Sequence, residues 1–351
     1  MSARPAPAIR PPRVDVYTNA VAGGWHPRDL EAFLGGSEES LVLWSRALAA
    51  AGVDVTVYYS PPPAADAALE DGGVRWLPRG AFAPHAARDV LITFKDPRPW
   101  LLGADARLRI HWSAEIELPW PAALRERLTD WVCLSRYHAA RMAWLPPGQV
   151  RIIPLGFDRA GLLAARRGKV PGRALYCSSP DRGLERLLLD WPLLRERHPG
   201  LELHVCYGWQ VFDACAAGAA PHRRHAAGRY RERIRALLRQ PGIVNRGALP
   251  RAEMAAAYWE AQYWMLPLAH PDAELFCLNA LKARCAGAVP VVLRRGALEE
   301  TVERWHPYDR FAVTPAAALG APLTGIAPGT PALPWEDVVA QYWLPLLQGG
   351  T

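Results

Sequence analysis

Two short stretches of the chain hold side chains whose types and spacing suit chemistry on a polar, elongated ligand. In "ELFCLNALKARCAG", residues 274–287, a carboxylate stands at the mouth of an apolar helical run and an ammonium, Lys282, follows eight residues later. On an α-helix that spacing is ~12 Å of rise and ~80° of rotation, so the two groups can meet the two ends of one ligand. A carboxylate accepts from two hydroxyls at once, whereas an ammonium only donates. In "YCSSPDRGLERL", residues 176–187, a strand runs into a helix, with Ser179 at the capping position, Pro180 at the first helical position and Arg182 in the first turn. Free amides and a guanidinium at one helix start make a site for a diphosphate. The plainer alternatives are that Arg182 neutralises Asp181 or a neighbouring carboxylate, and that Glu274 serves the helix dipole.

A third stretch, "GGSEES", residues 35–40, opens another helix. Gly35 and Gly36 let a ligand approach the backbone closely, and Ser37 can cap the helix. The stretch is no dinucleotide fingerprint, because no G-x-G-x-x-G is present. The chain also carries no H-E-x-x-H, no paired aspartates and no Cys/His cluster. A resident metal or cofactor is therefore not expected.

The elements that position these groups read as alternating strands and helices. "VDVYTN", "VDVTVYY", "DVLITF", "LRIHW", "WVCLS" and "VRIIPL" are strand-like, and the pattern begins again near residue 160 with "ALYCS", "LELHVCYG", "GIVNRG", "YWMLPL" and "AVPVVL". Such alternation predicts parallel strands with crossover helices. With 351 residues, too many for one core, the chain is expected to form an α/β protein of two Rossmann-like doubly wound domains facing across a cleft. We expect a flexible N-terminus over 1–12, domains over 13–158 and 159–330, and a C-terminal helix over 331–351 that crosses back onto the first domain. Ligands in such sheets gather at the carboxyl ends of the strands.

The formal charge is +7, nearly all of it from arginine, since Lys95, Lys169 and Lys282 are the only lysines. That leaves phosphate-bearing ligands and acidic membrane surfaces open as partners, with no pattern for nucleic acid. The basic run "PHRRHAAGRYRERIRALLRQ" reads first as a solvated helix face. "MSARPAPAIRPPR" lacks a signal-peptide core, no apolar run approaches ~18 residues, and the six cysteines form no C-x-x-C pair. A cytoplasmic protein, with peripheral contact at the inner membrane face left open, is the expectation.

Four segments in order, "GGSEESLVLWSRALAAAGVDVTVYY", "RIIPLGFD", "YCSSPDRGLERLLLDWPLLRERHPGLELHVCYGW" and "ELFCLNALKARCAGAVPVV", resemble the retaining family-4 glycosyltransferases of the GT-B fold over about residues 13 to 300. The resemblance implies transfer of a sugar from a nucleotide-diphosphate sugar to an acceptor hydroxyl, with retention and without metal. It places the donor's sugar hydroxyls at Glu274 and the donor near the amides of Phe276, Cys277 and Leu278. Arg182, with Ser178, Ser179 and Gly183, would hold the diphosphate, and the Gly35–Gly36 loop would reach donor and acceptor. The acceptor class, whether a glycan, a lipid-linked sugar or a small molecule, stays open.

The chain also departs from the family pattern. Where the family usually has a second glutamate for the ribose hydroxyls, this chain has Lys282. That lysine faces solvent, donates to the donor's ribose or phosphate, or marks a site that has lost its nucleotide sugar; we place it on the donor. In "LRIHWSAEIELPW", with Trp112 fixing the register, Glu115 stands for the family's aspartate and joins Glu274 as a catalytic candidate, while Ala114 replaces a histidine. His111, one residue before the tryptophan, is either a core or loop histidine or a contact for acceptor or sugar, and Lys95, just past a strand, is either a surface lysine or such a contact. The departures leave two other function classes open: a non-catalytic nucleotide-sugar-binding scaffold, and an epimerase or hydrolase on the same fold.

Overall fold

The computed structural model describes residues 12–21, 23–63, 68–217, 219–268, 274–307, 324–325 and 332–349. Most of the expected N-terminal stretch, residues 1–11, lies outside that set. The first sheet contains β1 (Arg13–Thr18), β2 (Asp54–Tyr59), β3 (Leu69–Asp71), β4 (Val74–Pro78), β5 (Val90–Phe94), β6 (Leu108–Trp112), β7 (Asp130–Cys133) and β8 (Val150–Ile152). Their order is β3-β4-β2-β1-β5-β6-β7-β8, parallel except for the β3–β4 hairpin. That hairpin was not foreseen; it turns on Gly72 and Gly73, both with positive φ, as a two-residue connection requires.

The second sheet contains β9 (Val170–Tyr176), β10 (Glu202–Val205), β11 (Ile243–Asn245), β12 (Ala261–Leu266), β13 (Val289–Val292), β14 (Arg304–Pro307) and β15 (Thr324–Gly325). The order is β11-β10-β9-β12-β13-β14-β15, parallel up to β14 with β15 antiparallel at the edge. The expectation of two doubly wound α/β sheets is met. Six helices matter below: α1 (Gly36–Ala50), α2 (Arg136–Arg141), α3 (Leu184–Arg197), α4 (Pro221–Leu237), α5 (Arg251–Glu260) and α6 (Leu278–Cys285).

Strand order decides where a ligand can sit. In the first sheet the chain leaves β1 towards β2 and later crosses to β5 on the other side, and in the second it leaves β9 towards β10 and later returns to β12. At such a switch point the two following loops diverge and leave a crevice at the strands' carboxyl ends. The Gly35–Gly36 stretch and Lys95 follow β1 and β5, whereas Ser178 and Glu274 follow β9 and β12. Four of the candidate groups therefore fall at two crevices.

The C-terminal helical segment, residues 335–347, returns to the first sheet as expected. Trp343 packs on Trp44 of α1 and Trp112 of β6 with ring centroids 4.9 and 5.1 Å apart, and Trp335 adds a contact to Trp112 at 6.4 Å. Gly156, at the crossover, cannot take a side chain, because a Cβ there would lie 2.7 Å from the Trp335 backbone. The segment is not one regular α-helix: Val339–Trp343 form a π-turn just ahead of Pro345, whose ring supplies no amide for the helical ladder. The basic helix α4 is solvent-exposed over most of its length, and Arg231, Arg233 and Arg235 pair with Asp213, Glu185 and Glu232. Among the described residues no helix is long and apolar enough to cross a membrane.

Trp343 is fully buried, so its truncation leaves a large cavity between the crossover segment and the first sheet. Trp343→Ala is expected to lower the unfolding free energy by about 3–5 kcal/mol, measured by chemical denaturation. A loss under about 1 kcal/mol would show that the segment does not anchor the fold.

Candidate active site at the cleft

The site grows from the carboxyl end of β9. After Tyr176 the chain passes Cys177 and Ser178 and makes a turn over residues 179–183 before α3 begins. Ser179 is not the cap: the capping position belongs to Gly183, in left-handed conformation at φ 99°, and the Ser179 hydroxyl bonds the Asp181 carboxylate instead. Two constraints move the helix start. A short polar side chain can satisfy a near neighbour in place of the helix amides. A Cβ at Gly183 would also lie 2.3 Å from the carbonyl oxygen of Pro267, so the loops after β9 and β12 touch backbone to backbone where only glycine fits. The turn is held from behind, where the hydroxyls of Tyr176 and Tyr230 donate to the carbonyls of Ser179 and Pro180 at 2.8 and 2.7 Å.

Arg182, in this turn, reaches Glu274 across the crevice, with Nη1 3.6 Å from Oε2. The arginine side chain is 38% exposed and the glutamate 12%, so the arginine is the partner open to solvent and the glutamate the sheltered one. Burial pushes the Glu274 carboxyl up to about 7, against the opposing pull of Arg182, the Cys277 thiol and the Phe276 amide. The Phe276 amide, expected to approach the donor, thus points at Glu274 in the ligand-free protein. The Glu274 carbonyl accepts from Ala297 at 3.2 Å, which fixes the backbone on the other side. Cys277 is the cap of α6 and Leu278 its first residue.

Asn279 and Tyr258 belong to the site although neither was singled out. Asn279 Nδ2 donates to the Ser178 hydroxyl and the Cys177 carbonyl, both at 3.1 Å, and its Oδ1 accepts from the Tyr258 hydroxyl at 2.7 Å. This network ties α5 and α6 to the end of β9 and fixes Ser178. The available signal was an asparagine inside an otherwise apolar helical run. Burial raises the Cys177 thiol to about 11, and it raises Cys277 well above the ordinary thiol value, so neither is a thiolate nucleophile near neutrality.

Lys282 neither faces solvent nor stands free for a ligand. Its Nζ lies 2.7 and 3.0 Å from the two carboxylate oxygens of Glu39, in the first turn of α1 on the other domain. Gly35, not Ser37, caps α1, and a side chain at Gly36 would meet nothing within 4 Å. Packing therefore does not demand glycine at 36.

On the first sheet, Lys95 is the only non-glycine residue with a left-handed backbone among the described residues, at φ 62°. Such strain collects at functional sites. Its amide donates to the Trp112 carbonyl at 3.2 Å and its Nζ pairs with Glu115 at 2.8 Å. Glu115 is 59% exposed on its side chain and stands at the crevice. His111 does not: it is fully buried, with Nδ1 2.8 Å from the Thr93 hydroxyl and Nε2 2.7 Å from Glu117. Its expected contact with acceptor or sugar is corrected accordingly, because both ring nitrogens are engaged inside the domain. Burial alone would raise the Glu117 carboxyl, but His111, Ser113 and Trp120 outweigh it and hold the group below the usual value. His138, also fully buried, accepts from the Leu134 amide and donates through Nε2 to the Glu115 carbonyl at 2.9 Å. Burial lowers its pKa and keeps it neutral. The two histidines thus support the 113–117 loop from below.

No family model and no curated protein matches the sequence. Solved structures do match the fold. AviGT4, a glycosyltransferase involved in Avilamycin A biosynthesis, is 15% identical with a TM-score of 0.55, over 97% of this chain and 99% of that one. An α,α-trehalose-phosphate synthase (UDP-forming) from Burkholderia vietnamiensis is 14% identical with a TM-score of 0.56, over 97% and 96%. HepE from Anabaena, solved with UDP and glucose, is 12% identical with a TM-score of 0.53, over 82% and 83%. The chain has the GT-B fold.

Within this GT-B frame the raised Glu274 carboxyl makes a stability statement. The group holds its proton more tightly folded, at about 7, than at its ordinary 4.5. Its contribution is therefore fully present below pH 4.5 and is lost as pH rises through 7, a penalty of order 3 kcal/mol at pH 8. Glu274→Gln, which cannot ionise, is expected to exceed the wild type in stability at pH 8 and to match it near pH 4.5, by denaturant midpoints at both pH values. A gap that does not shrink on acidification would mean that Glu274 is not buried against its charge.

Proposed function

We propose that the protein is a glycosyltransferase that moves a sugar from a nucleotide-diphosphate sugar to an acceptor hydroxyl, with retention and without a metal ion. The observation that carries this reading is the Arg182–Glu274 pair at the switch point of the second sheet: one anion-binding and one hydroxyl-binding group, on different loops, facing one crevice. At 3.6 Å, with the guanidinium side 38% exposed, the pair can exchange partners. An entering diphosphate draws Arg182 into bidentate contact, and the sugar hydroxyls take over the carboxylate. The UDP and glucose seen with HepE support a donor of this class.

In the reaction, Arg182 and the backbone amides of the 178–183 turn stabilise the negative charge that builds on the departing diphosphate, and Ser178, fixed by Asn279, lines the same turn. Glu274, with the Phe276 amide, Cys277 and Leu278 at the start of α6, orients the sugar for attack by an acceptor held on the first domain. The Gly35–Gly36 start of α1 gives donor and acceptor room, and Glu115 with Lys95 provides the acceptor side's carboxylate and ammonium. A sugar placed by fixed groups, with no protein nucleophile, fits attack from the face the leaving group departs, which is retention.

Arg182→Ala is expected to weaken nucleoside-diphosphate binding by about 1.5–3 kcal/mol in calorimetry, the value of a hydrogen bond to a charged group. Glu274→Ala is expected to abolish transfer while leaving the circular dichroism spectrum unchanged. Unaltered diphosphate affinity in the arginine variant, or wild-type turnover in the glutamate variant, would overturn the assignment. A scaffold that bound nucleotide without consuming it would show the arginine effect with no turnover in the parent protein.

A further inference from the structure

Glu39 was assigned no role by the sequence, and its position across the cleft gives it one. It lies in the first turn of α1, Lys282 lies in the last turn of α6, and the ammonium sits against both carboxylate oxygens at 2.7 and 3.0 Å. The residues are 243 apart in sequence and on different sheets' helices. Both side chains are mostly sheltered, 19% and 18% exposed, so solvent screens the pair less than a surface ion pair. Each charge is also at the favourable end of its own helix dipole.

The pair abuts the donor crevice. Lys282 stands one turn after Asn279 on the same side of α6, within electrostatic reach of Cys177, and Glu39 is within electrostatic reach of Tyr258. Cys177 and Tyr258 are members of the network that fixes Ser178 through Asn279. Among the described residues, Glu39 and Lys282 are each other's one ionic partner. The contact therefore joins the glycine start of α1, from one domain, to the helix that begins beside Glu274 in the other.

We propose that Glu39 is a positioning residue for the donor, acting through Lys282 to hold the two halves of the cleft together. The proposal rests on the glycosyltransferase reading above and extends it to a group that touches no substrate. Its consequence follows from population arithmetic: without the clamp a smaller fraction of molecules has an assembled cleft, and apparent donor affinity falls by that fraction. Saturating donor restores the assembled state, so the effect belongs in KM and not in kcat.

The test is a charge exchange. Glu39→Lys and Lys282→Glu each set like charges face to face, and each is expected to raise KM for the nucleotide sugar by about tenfold or more with kcat changed by less than about threefold. The double exchange restores an opposite-charge pair and is expected to return KM to within about threefold of wild type. Small-angle scattering without donor is expected to show a larger radius of gyration in both singles and a wild-type value in the double. A double variant with KM as high as the Lys282→Glu single would overturn the proposal, because Lys282 would then contact the donor itself. So would singles whose kcat falls with KM unchanged, the mark of lost folded protein. Absence of transfer in the wild type would sink the glycosyltransferase reading alone; the scattering result still judges the clamp, and equal radii in wild type and singles would refute it.

Discussion

A buried carboxylate has to be met by donors, and at Glu274 those donors come from three places: the guanidinium of Arg182, the amide of Phe276 and the thiol of Cys277. This requirement organises the second domain's crevice. Arg182 can reach only because the turn after β9 packs backbone to backbone on the loop after β12, and that approach demands Gly183. The Phe276 amide is presented only because α6 starts at Leu278, capped by Cys277, with Asn279 roped to Ser178 and the Cys177 carbonyl. The same groups that satisfy the carboxylate tie the turn after β9 to the start of α6.

The first domain solves a different problem. Its crevice loop, 113–117, must hold an exposed carboxylate, Glu115, beside a strained lysine, and it does so with buried polar groups beneath. Glu117 is met by His111 and Ser113, and the Glu115 carbonyl by His138. A buried polar network of this kind is costly if any member is unsatisfied, so it specifies one loop conformation. The strain at Lys95, next to Asp96 with its two arginine partners, is tolerated because the surrounding bonds over-determine it.

Much of this was legible in the sequence, for a physical reason. Inner strands of a parallel sheet are buried on both faces and read as near-continuous apolar runs, so β1, β2, β5 to β7, β9, β10, β12 and β13 stood out, while the partly exposed edge strands β8 and β11 showed as short β-branched runs. The β3–β4 hairpin is short and half exposed, and left no such run. Glu274 and Arg182 were visible because a charged residue at an element boundary contrasts with its apolar neighbours. What stayed hidden was set by distant backbone: Pro267 places the start of α3, 84 positions from Gly183, and Glu39 meets Lys282 over 243. His111 shows the converse. It lies between Ile110 and Trp112 in a run buried on both faces, and that run decides for the core histidine over the ligand contact.

The two domains are joined by contacts of two kinds, and the difference bears on how the cleft works. At the crossover the joint is apolar: Trp335 and Trp343 lie against Trp44 and Trp112, and Gly156 admits nothing between itself and Trp335. Breaking that joint exposes large aromatic surface with no compensation from water. At the cleft, beside one ring contact of Phe33 with Tyr207 at 5.6 Å, the joints are polar: Ser135 donates to the Leu275 carbonyl at 2.8 Å, Glu300 accepts from the amides of Arg136 and Tyr137 at the start of α2, and Glu39 holds Lys282. Water can substitute for a partner in each of these polar joints; a neutral hydrogen bond is worth about 0.5–1.5 kcal/mol over its hydrated parts, and one to a carboxylate such as Glu39 or Glu300 about 1.5–3 kcal/mol. The polar joints are therefore the ones for which water offers substitute hydrogen bonds, whereas the tryptophan cluster has no such substitute.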